Sequence, residues 1–298
     1  MRHTLVLAIT TILFFGISSC SKNKAPVAAV DTSYQTSTIQ YNNSITINTN
    51  LVSLDVYGLL PVSSLRPVII WVHGGAWAIG DKSNSLSNKL SLFNQLQYVF
   101  VSVNYRLSPA IVSTDPNRIK FPTHNNDVAD AVKWVIDNIA SYGGDNNKIV
   151  LLGHSAGAHL VSLTGSSQQF LPARGIALNK IKGIASIDTE GYDVPSQSGE
   201  VIYQNAFGTD YTIQMQASPI YNLAAGNSYP KFFVAKRGSA SRIAFANNFI
   251  TKLQSVGVQV SQVDGSQYDH EGINDAIGNP NDTVITPALK LFLTSCFL

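Results

Sequence analysis

The stretch Ile149-Val-Leu-Leu-Gly-His-Ser155-Ala-Gly-Ala-His-Leu160 constrains this chain more than any other. Apolar residues run up to Gly153, the pentad Gly153-His154-Ser155-Ala156-Gly157 follows, and a helix-forming run begins at once. That order describes a buried strand turning sharply into a helix, with a serine at the apex. Such a turn brings backbone so close to the serine that only small residues fit two positions to either side. This is the G-x-S-x-G spacing of a nucleophile elbow, which holds a hydroxyl in a strained, exposed pose above a sheet. The pentad alone is a weak pattern, because Gly and Ser are common in loops. The strand before it, the helix after it and a Gly-rich loop upstream make Ser155 a candidate nucleophile.

Around this element the chain reads as alternating strands and helices. Strands are expected at about 37–41, 51–57, 68–72, 99–103, 148–152, 181–187, 231–235 and 258–263. Val68-Ile-Ile-Trp-Val72 and Val99-Phe-Val-Ser-Val103 are continuous apolar runs, the mark of strands buried on both faces. Helical spacing of apolar residues predicts helices over about 83–96, from about Asn125, after Ser155, over 242–256 and from about Thr286. Residues from Thr189 to about Pro230 form an irregular insertion, with Phe207, Tyr211 and Tyr221 as packing or pocket-lining aromatics. The fold class is therefore α/β: a mostly parallel central sheet with helices on both faces. Ligands of such sheets gather beyond the C-terminal strand ends. His73, Ser155, Asp188 and His270 each stand just past one.

A serine hydroxyl is a poor nucleophile until a base takes its proton. Sheets that carry an elbow of this kind place the histidine after the serine in chain order. Of six histidines only His159 and His270 qualify. His159 lies four residues into the helix and reads as a helix-face residue, which leaves His270, in a loop after the final strand, as the base. Gly74 and Gly75, after the strand at 68–72, and Ala156, after the serine, can offer backbone N–H groups to an oxyanion. His73 and Trp77 flank that loop and are read as fixing it by packing or hydrogen bonding.

His73-Gly-Gly-Ala-Trp77, Val103-Asn-Tyr-Arg-Leu107, the helix from Asp127 to Trp134, Tyr142-Gly-Gly-Asp145 and Gly153-His-Ser-Ala-Gly157 together resemble the α/β-hydrolase esterases of the hormone-sensitive-lipase-like group. Within that group the chain resembles the bacterial acetylxylan/feruloyl esterase-like and kynurenine-formamidase-like enzymes. The resemblance spans roughly residues 37–298 and is specific between 70 and 160. It implies an α/β-hydrolase fold and hydrolysis of small acyl esters or amides with neither cofactor nor metal. Asp127 matches a helix position of the group and is expected to be a structural hydrogen-bonding residue.

The chain departs from that group at the acid of the triad. The group's Asp follows the strand at 231–235, in a Gly-x-x-Asp turn, where this chain reads Gly238-Ser-Ala-Ser-Arg242. No Asp or Glu occurs from Tyr211 to Val263. Asp188 ends the strand next after the nucleophile's own and is the first choice, with Glu190 and Asp193 next. Some α/β-hydrolases, pancreatic lipases among them, carry the acid there, and triads are recognised by geometry rather than by position. The remaining alternative is a Ser–His dyad.

Composition bounds what else the chain can do. Among 298 residues, hydrophobic types make up 45%, ample for a core, and charged types only 13%. A net charge of +2 without a basic cluster argues against a nucleic-acid partner. Residues 1–19 read as a lipoprotein signal peptide: Arg2 and His3 precede an apolar run too short to span a bilayer, and small residues precede Cys20. Cys20 is then the lipidation site, and 20–36 a polar tether to a single domain at 37–298. The expected location is a bacterial membrane, by that anchor alone. Cys296, the other cysteine, is expected to be a buried packing residue. The function expected is a serine carboxylesterase for small acyl esters, including acetyl or feruloyl groups on carbohydrate. The alternatives are a formamidase-like amidase and a catalytically degenerate surface binding protein.

Overall fold

The structure is a computed structural model that describes residues 34–59 and 64–298. The expected signal peptide, Cys20 and most of the tether lie outside the described residues. The described residues form eight strands: β1 (Tyr34–Gln40), β2 (Ser53–Leu59), β3 (Arg66–Val72), β4 (Val99–Val103), β5 (Gly144–His154), β6 (Ile181–Ile187), β7 (Lys231–Lys236) and β8 (Val260–Asp264). They form one sheet in the order β1-β2-β4-β3-β5-β6-β7-β8. The pairs β1–β2 and β2–β4 are antiparallel, and every pairing from β4 through β8 is parallel. Strand β1 begins at Tyr34, earlier than its sequence pattern predicts, and the Tyr34 hydroxyl donates to the Tyr98 carbonyl at 2.7 Å.

Eight α-helices accompany the sheet among the described residues: α1 (Ser87–Gln95), α2 (Thr123–Asn138), α3 (Ala156–Ser166), α4 (Val201–Phe207), α5 (Tyr211–Gln216), α6 (Ala240–Ser255), α7 (His270–Ala276) and α8 (Ile285–Phe297). The alternation of side chains along a strand explains the continuous apolar runs. Val68, Ile70 and Val72 of β3 face a core built with α2, α3 and α6. Ile69 and Trp71 face a second core built with α1, α7 and α8. Cys296 is buried in that second core. No helix among the described residues is long and apolar enough to cross a membrane.

Two expectations need correction. The insertion after Thr189 is not irregular: it carries α4 and α5, and Asp210 caps α5 by accepting from the Ile213 N–H at 3.0 Å. Within it Phe207 is buried, but Tyr211 and Tyr221 are exposed. His270 is not in a loop but opens α7. Asp269 makes this possible as the N-cap, its carboxylate accepting from the Gly272 N–H at 2.6 Å.

Candidate active site

Crowding dictates the elbow. A Cβ added at Gly157 would lie 2.1 Å from the Val72 carbonyl oxygen, and one at Gly153 would lie 2.4 Å from that of Gly157. Between them Ser155 takes φ 56° and ψ −120°, a region costly for a residue with a side chain. Its N–H continues the sheet by donating to the Ile187 carbonyl at 3.0 Å. Burial of α3 on the first core holds the strained turn in place.

Strand β6 runs beside β5, so the residue after it emerges next to the elbow. That residue is Asp188, also at positive φ (52°), with its N–H bonded to the Ala235 carbonyl at 2.9 Å. From the start of α7, His270 reaches across both. Its Nε2 lies 2.9 Å from Ser155 Oγ and its Nδ1 lies 2.6 Å from Asp188 Oδ2. Ser155, His270 and Asp188 are thus brought into one hydrogen-bonded chain. Asp188 is almost fully buried, whereas the His270 side chain is partly exposed. The other two acid candidates stand elsewhere. Glu190 pairs with Arg242 Nη1, and Asp193 accepts from the Ser196 hydroxyl at 2.6 Å on the surface.

Two arginines that sequence reasoning passed over hold Asp188. Arg237, just beyond β7, donates from Nε to the same Oδ2 that His270 engages. Arg242 Nε donates to Oδ1 at 2.7 Å. Burial raises the Asp188 carboxyl, but the bonds from His270 and Arg242 outweigh it and keep the group below its usual range. The partner of the two arginines lies 49 and 54 residues away in sequence, so nothing local to Arg237-Gly-Ser-Ala-Ser-Arg242 names it.

His154 is a second residue without a sequence-level role. It packs against His270 with ring centroids 4.6 Å apart, and its Nε2 donates to the His270 carbonyl at 2.8 Å. Burial, followed by repulsion from His270, pushes it down to about 3, so it stays neutral. His154, Asp188 and His270 place a donor atom each within 4.8 Å of one another, a spacing a metal could use. Hydrogen bonds inside the network already occupy His270 Nδ1, His154 Nε2 and the carboxylate.

The glycine loop leaves β3 with Gly75 at φ 108°, where a Cβ would meet the Ile79 carbonyl oxygen at 2.1 Å. Ala76 and Trp77 follow at φ 51° and 60°. Trp77 anchors this strained loop: it is buried, and its Nε1 donates to His159 Nδ1 at 3.2 Å. His159 in turn donates from Nε2 to the Ala217 carbonyl at 2.8 Å, and burial pushes it down to about 4. It is therefore a buried link between the glycine loop and the insertion rather than a plain helix-face residue. His73 is stacked on Tyr105 at 4.6 Å and bonded to the Gly74 carbonyl at 2.7 Å. Asp127 accepts both Arg106 Nε (2.8 Å) and Nη2 (2.6 Å), a structural clamp below the site.

These elements enclose a cleft of about 340 Å³. Gly75, Ala76, Trp77 and Ala156 line it beside Ser155, while Gly74 lies under the serine, its added Cβ falling 3.1 Å from Ser155 Cβ. Its apolar lining is completed by Ile79, Ile202 and Tyr203, and its polar lining by Thr189, Glu190, Arg237, Arg242, His270 and Glu271. Helix α4 supplies Ile202 and Tyr203, so the insertion shapes the cleft.

The family model BD-FAE matches residues 54–182, from the second strand through the elbow. Esterase LipQ of Mycobacterium tuberculosis is 43% identical over 101 residues, 34% of this chain and 22% of that protein. The probable carboxylic ester hydrolase LipM of the same organism is 29% identical over 218 residues, covering 67% of this chain and 48% of its own. The chain thus spans less than half the length of these curated relatives. Among solved structures, an inhibited esterase B from Lactobacillus rhamnosis superposes with a TM-score of 0.71 at 17% identity, over 90% of this chain and 89% of that one. A truncated carbohydrate esterase from gut microbiota gives 0.68 at 16% identity, over 90% and 98%. Sheet order, elbow and structural neighbours agree, and the chain has the α/β-hydrolase fold.

Proposed function

We propose that this protein is a serine carboxylesterase acting on small acyl esters. The observation that carries the reading is the continuous chain Ser155 Oγ–His270 Nε2–His270 Nδ1–Asp188 Oδ2, at 2.9 and 2.6 Å. The role of each group follows from its chemistry. Asp188 fixes the tautomer in which Nδ1 carries the proton, leaving the Nε2 lone pair for the serine hydroxyl. Ser155 Oγ attacks the ester carbonyl as Nε2 takes its proton, and the carbonyl oxygen becomes an anion. Backbone N–H groups of Gly74, Gly75 and Ala156 are assigned to that charge, where one such donor is worth about 10²–10³ in rate. His270 then returns the proton to the departing alcohol, and water releases the acyl group by the same steps in reverse roles.

Small substrates fit a cleft of this size with a partly apolar lining. Acetyl and feruloyl esters of carbohydrate are the proposed targets, in line with the BD-FAE match and the carbohydrate esterase likeness. A formyl amide is a narrower alternative. The degenerate binding-protein reading rested on a missing acid, and Asp188 at 2.6 Å from His270 weakens it. Export and lipidation at Cys20, with the protein held to a membrane only by that anchor, remain part of the proposal. Replacing Cys20 with Ser is expected to move the protein from the membrane to the soluble fraction.

A fluorophosphonate probe tests the class. One adduct on Ser155, absent in Ser155→Ala, is the expected result. A folded protein that takes no label contradicts the proposal.

A further inference from the structure

Arg237 has a second capacity that holding Asp188 does not use. Its Nε is fixed on Asp188 Oδ2, and this is its one protein acceptor among the described residues. Its two Nη groups, carrying four N–H donors, have no protein acceptor among the described residues, and they are not sealed from solvent although the side chain is only 15% exposed. The residue lines the cleft that holds Ser155 and His270. Arg242 differs: Asp188 takes its Nε, Glu190 takes its Nη1 and the Asp188 carbonyl accepts its Nη2 at 3.3 Å. The cleft therefore contains one guanidinium engaged at all three nitrogens and one engaged at Nε alone.

A guanidinium held by one edge presents the other as a preformed fork, which matches the two oxygens of a carboxylate. Because Asp188 already fixes the side chain, little rotamer entropy is lost when an anion docks. Arg237 lines the same cleft as Ser155 and His270, and the small acyl groups proposed above carry no carboxylate of their own, so an anion that meets Arg237 there belongs to the alcohol portion. The cleft's carboxylates are distributed to match. Glu190 is neutralised by Arg242, Asp188 is covered by three donors, and Glu271 is exposed on α7 with no hydrogen-bond partner among the described residues. Glu271 repels an anion, and Arg237 is the lining cation with the most donors left to hold one.

We infer that the preferred substrates are esters whose alcohol portion bears a carboxylate, bound by the free edge of Arg237. This rests on the esterase reading above and names its substrate class. The test uses 3- and 4-acetoxybenzoate, each against its neutral methyl ester, with kcat/KM normalised to the rate of each ester with hydroxide. At least one acid is expected to exceed its methyl ester by about tenfold or more, as charge-assisted hydrogen bonds allow. That ratio is expected to collapse in Arg237→Gln and to survive in part in Arg237→Lys. Because Arg237 also touches Asp188, the ratio between paired esters is the readout, not the absolute rate. Equal or better turnover of both neutral esters by the natural protein overturns the inference, as does a ratio unchanged in Arg237→Gln. A protein that labels with fluorophosphonate but turns over none of these esters also overturns it, while leaving the nucleophile in place. Absence of labelling overturns the esterase reading itself.

Discussion

Asp188 and His270 are 82 residues apart in sequence, yet their Oδ2 and Nδ1 atoms lie 2.6 Å apart. The carboxylate that His270 engages stands after β6, and the stretch after β7 carries two arginines that grip it. Exchange of an acid between neighbouring strand ends is possible because both open onto the same edge of a parallel sheet, one strand spacing apart. The imidazole needs only to find a carboxylate there.

Neither alternative acid should matter much. Glu190→Gln removes one half of a partly exposed ion pair with Arg242, so kcat/KM should fall by about tenfold at most. Asp193→Asn should leave it unchanged within error, since Asp193 engages Ser196 and Tyr221 on the surface. Steady-state kinetics on a short-chain nitrophenyl ester decides. A loss of 10³ or more in either variant would move the acid away from Asp188.

Gly157→Ala tests the packing of the elbow. The added methyl would sit 2.1 Å from the Val72 carbonyl oxygen, which is backbone in the central sheet and has little room to yield. Overpacking of this sort costs about 3 kcal/mol, and for a domain of this size should lower Tm by about 6–12 °C. Thermal denaturation of the variant against the natural protein measures it; a Tm within 2 °C of the parent would show that the turn is looser than described.

Three fully or nearly fully buried histidines predict acid lability. Burial pushes His124 and His154 down to about 3 and His159 to about 4, against 6.5 for the unfolded chain. Between those values the unfolded state binds more protons than the native one, so stability is complete above about pH 6.5 and falls as pH decreases. Each histidine contributes about 1.4 kcal/mol of loss per pH unit in that range. Asp188 adds to the loss only at lower pH, below the usual carboxylate value, because its folded form is held lower still. Urea midpoints at pH 7.5 and 5.0 should differ clearly, with the lower one at pH 5.0. A midpoint that does not move would contradict the buried, neutral state of these rings.

Much of this arrangement was legible in the residues. Gly153 and Gly157 carry the elbow in their spacing, and the double burial of β3 and β4 is written in runs with no polar break except Ser102. His270 emerged from chain order alone, although its place at the start of a helix depended on Asp269, whose capping role a bare sequence does not distinguish from a loop aspartate. Helices α4 and α5 escaped notice because they are short, only 7 and 6 residues, and lack a sustained apolar stripe. Arg237 and Arg242 escaped for a different reason. Their pairing with Asp188 is tertiary, made between neighbouring strand ends, and leaves no local pattern in the residues.

The most direct measurement is kcat for Asp188→Asn beside Ser155→Ala, on one ester and with both variants shown to be folded by circular dichroism. An amide at 188 cannot hold His270 in the required tautomer, so kcat should drop by about 10⁴, approaching the loss in Ser155→Ala. Activity of Asp188→Asn within tenfold of the natural protein would contradict the assignment of Asp188 as the acid and leave Ser155 and His270 as a dyad.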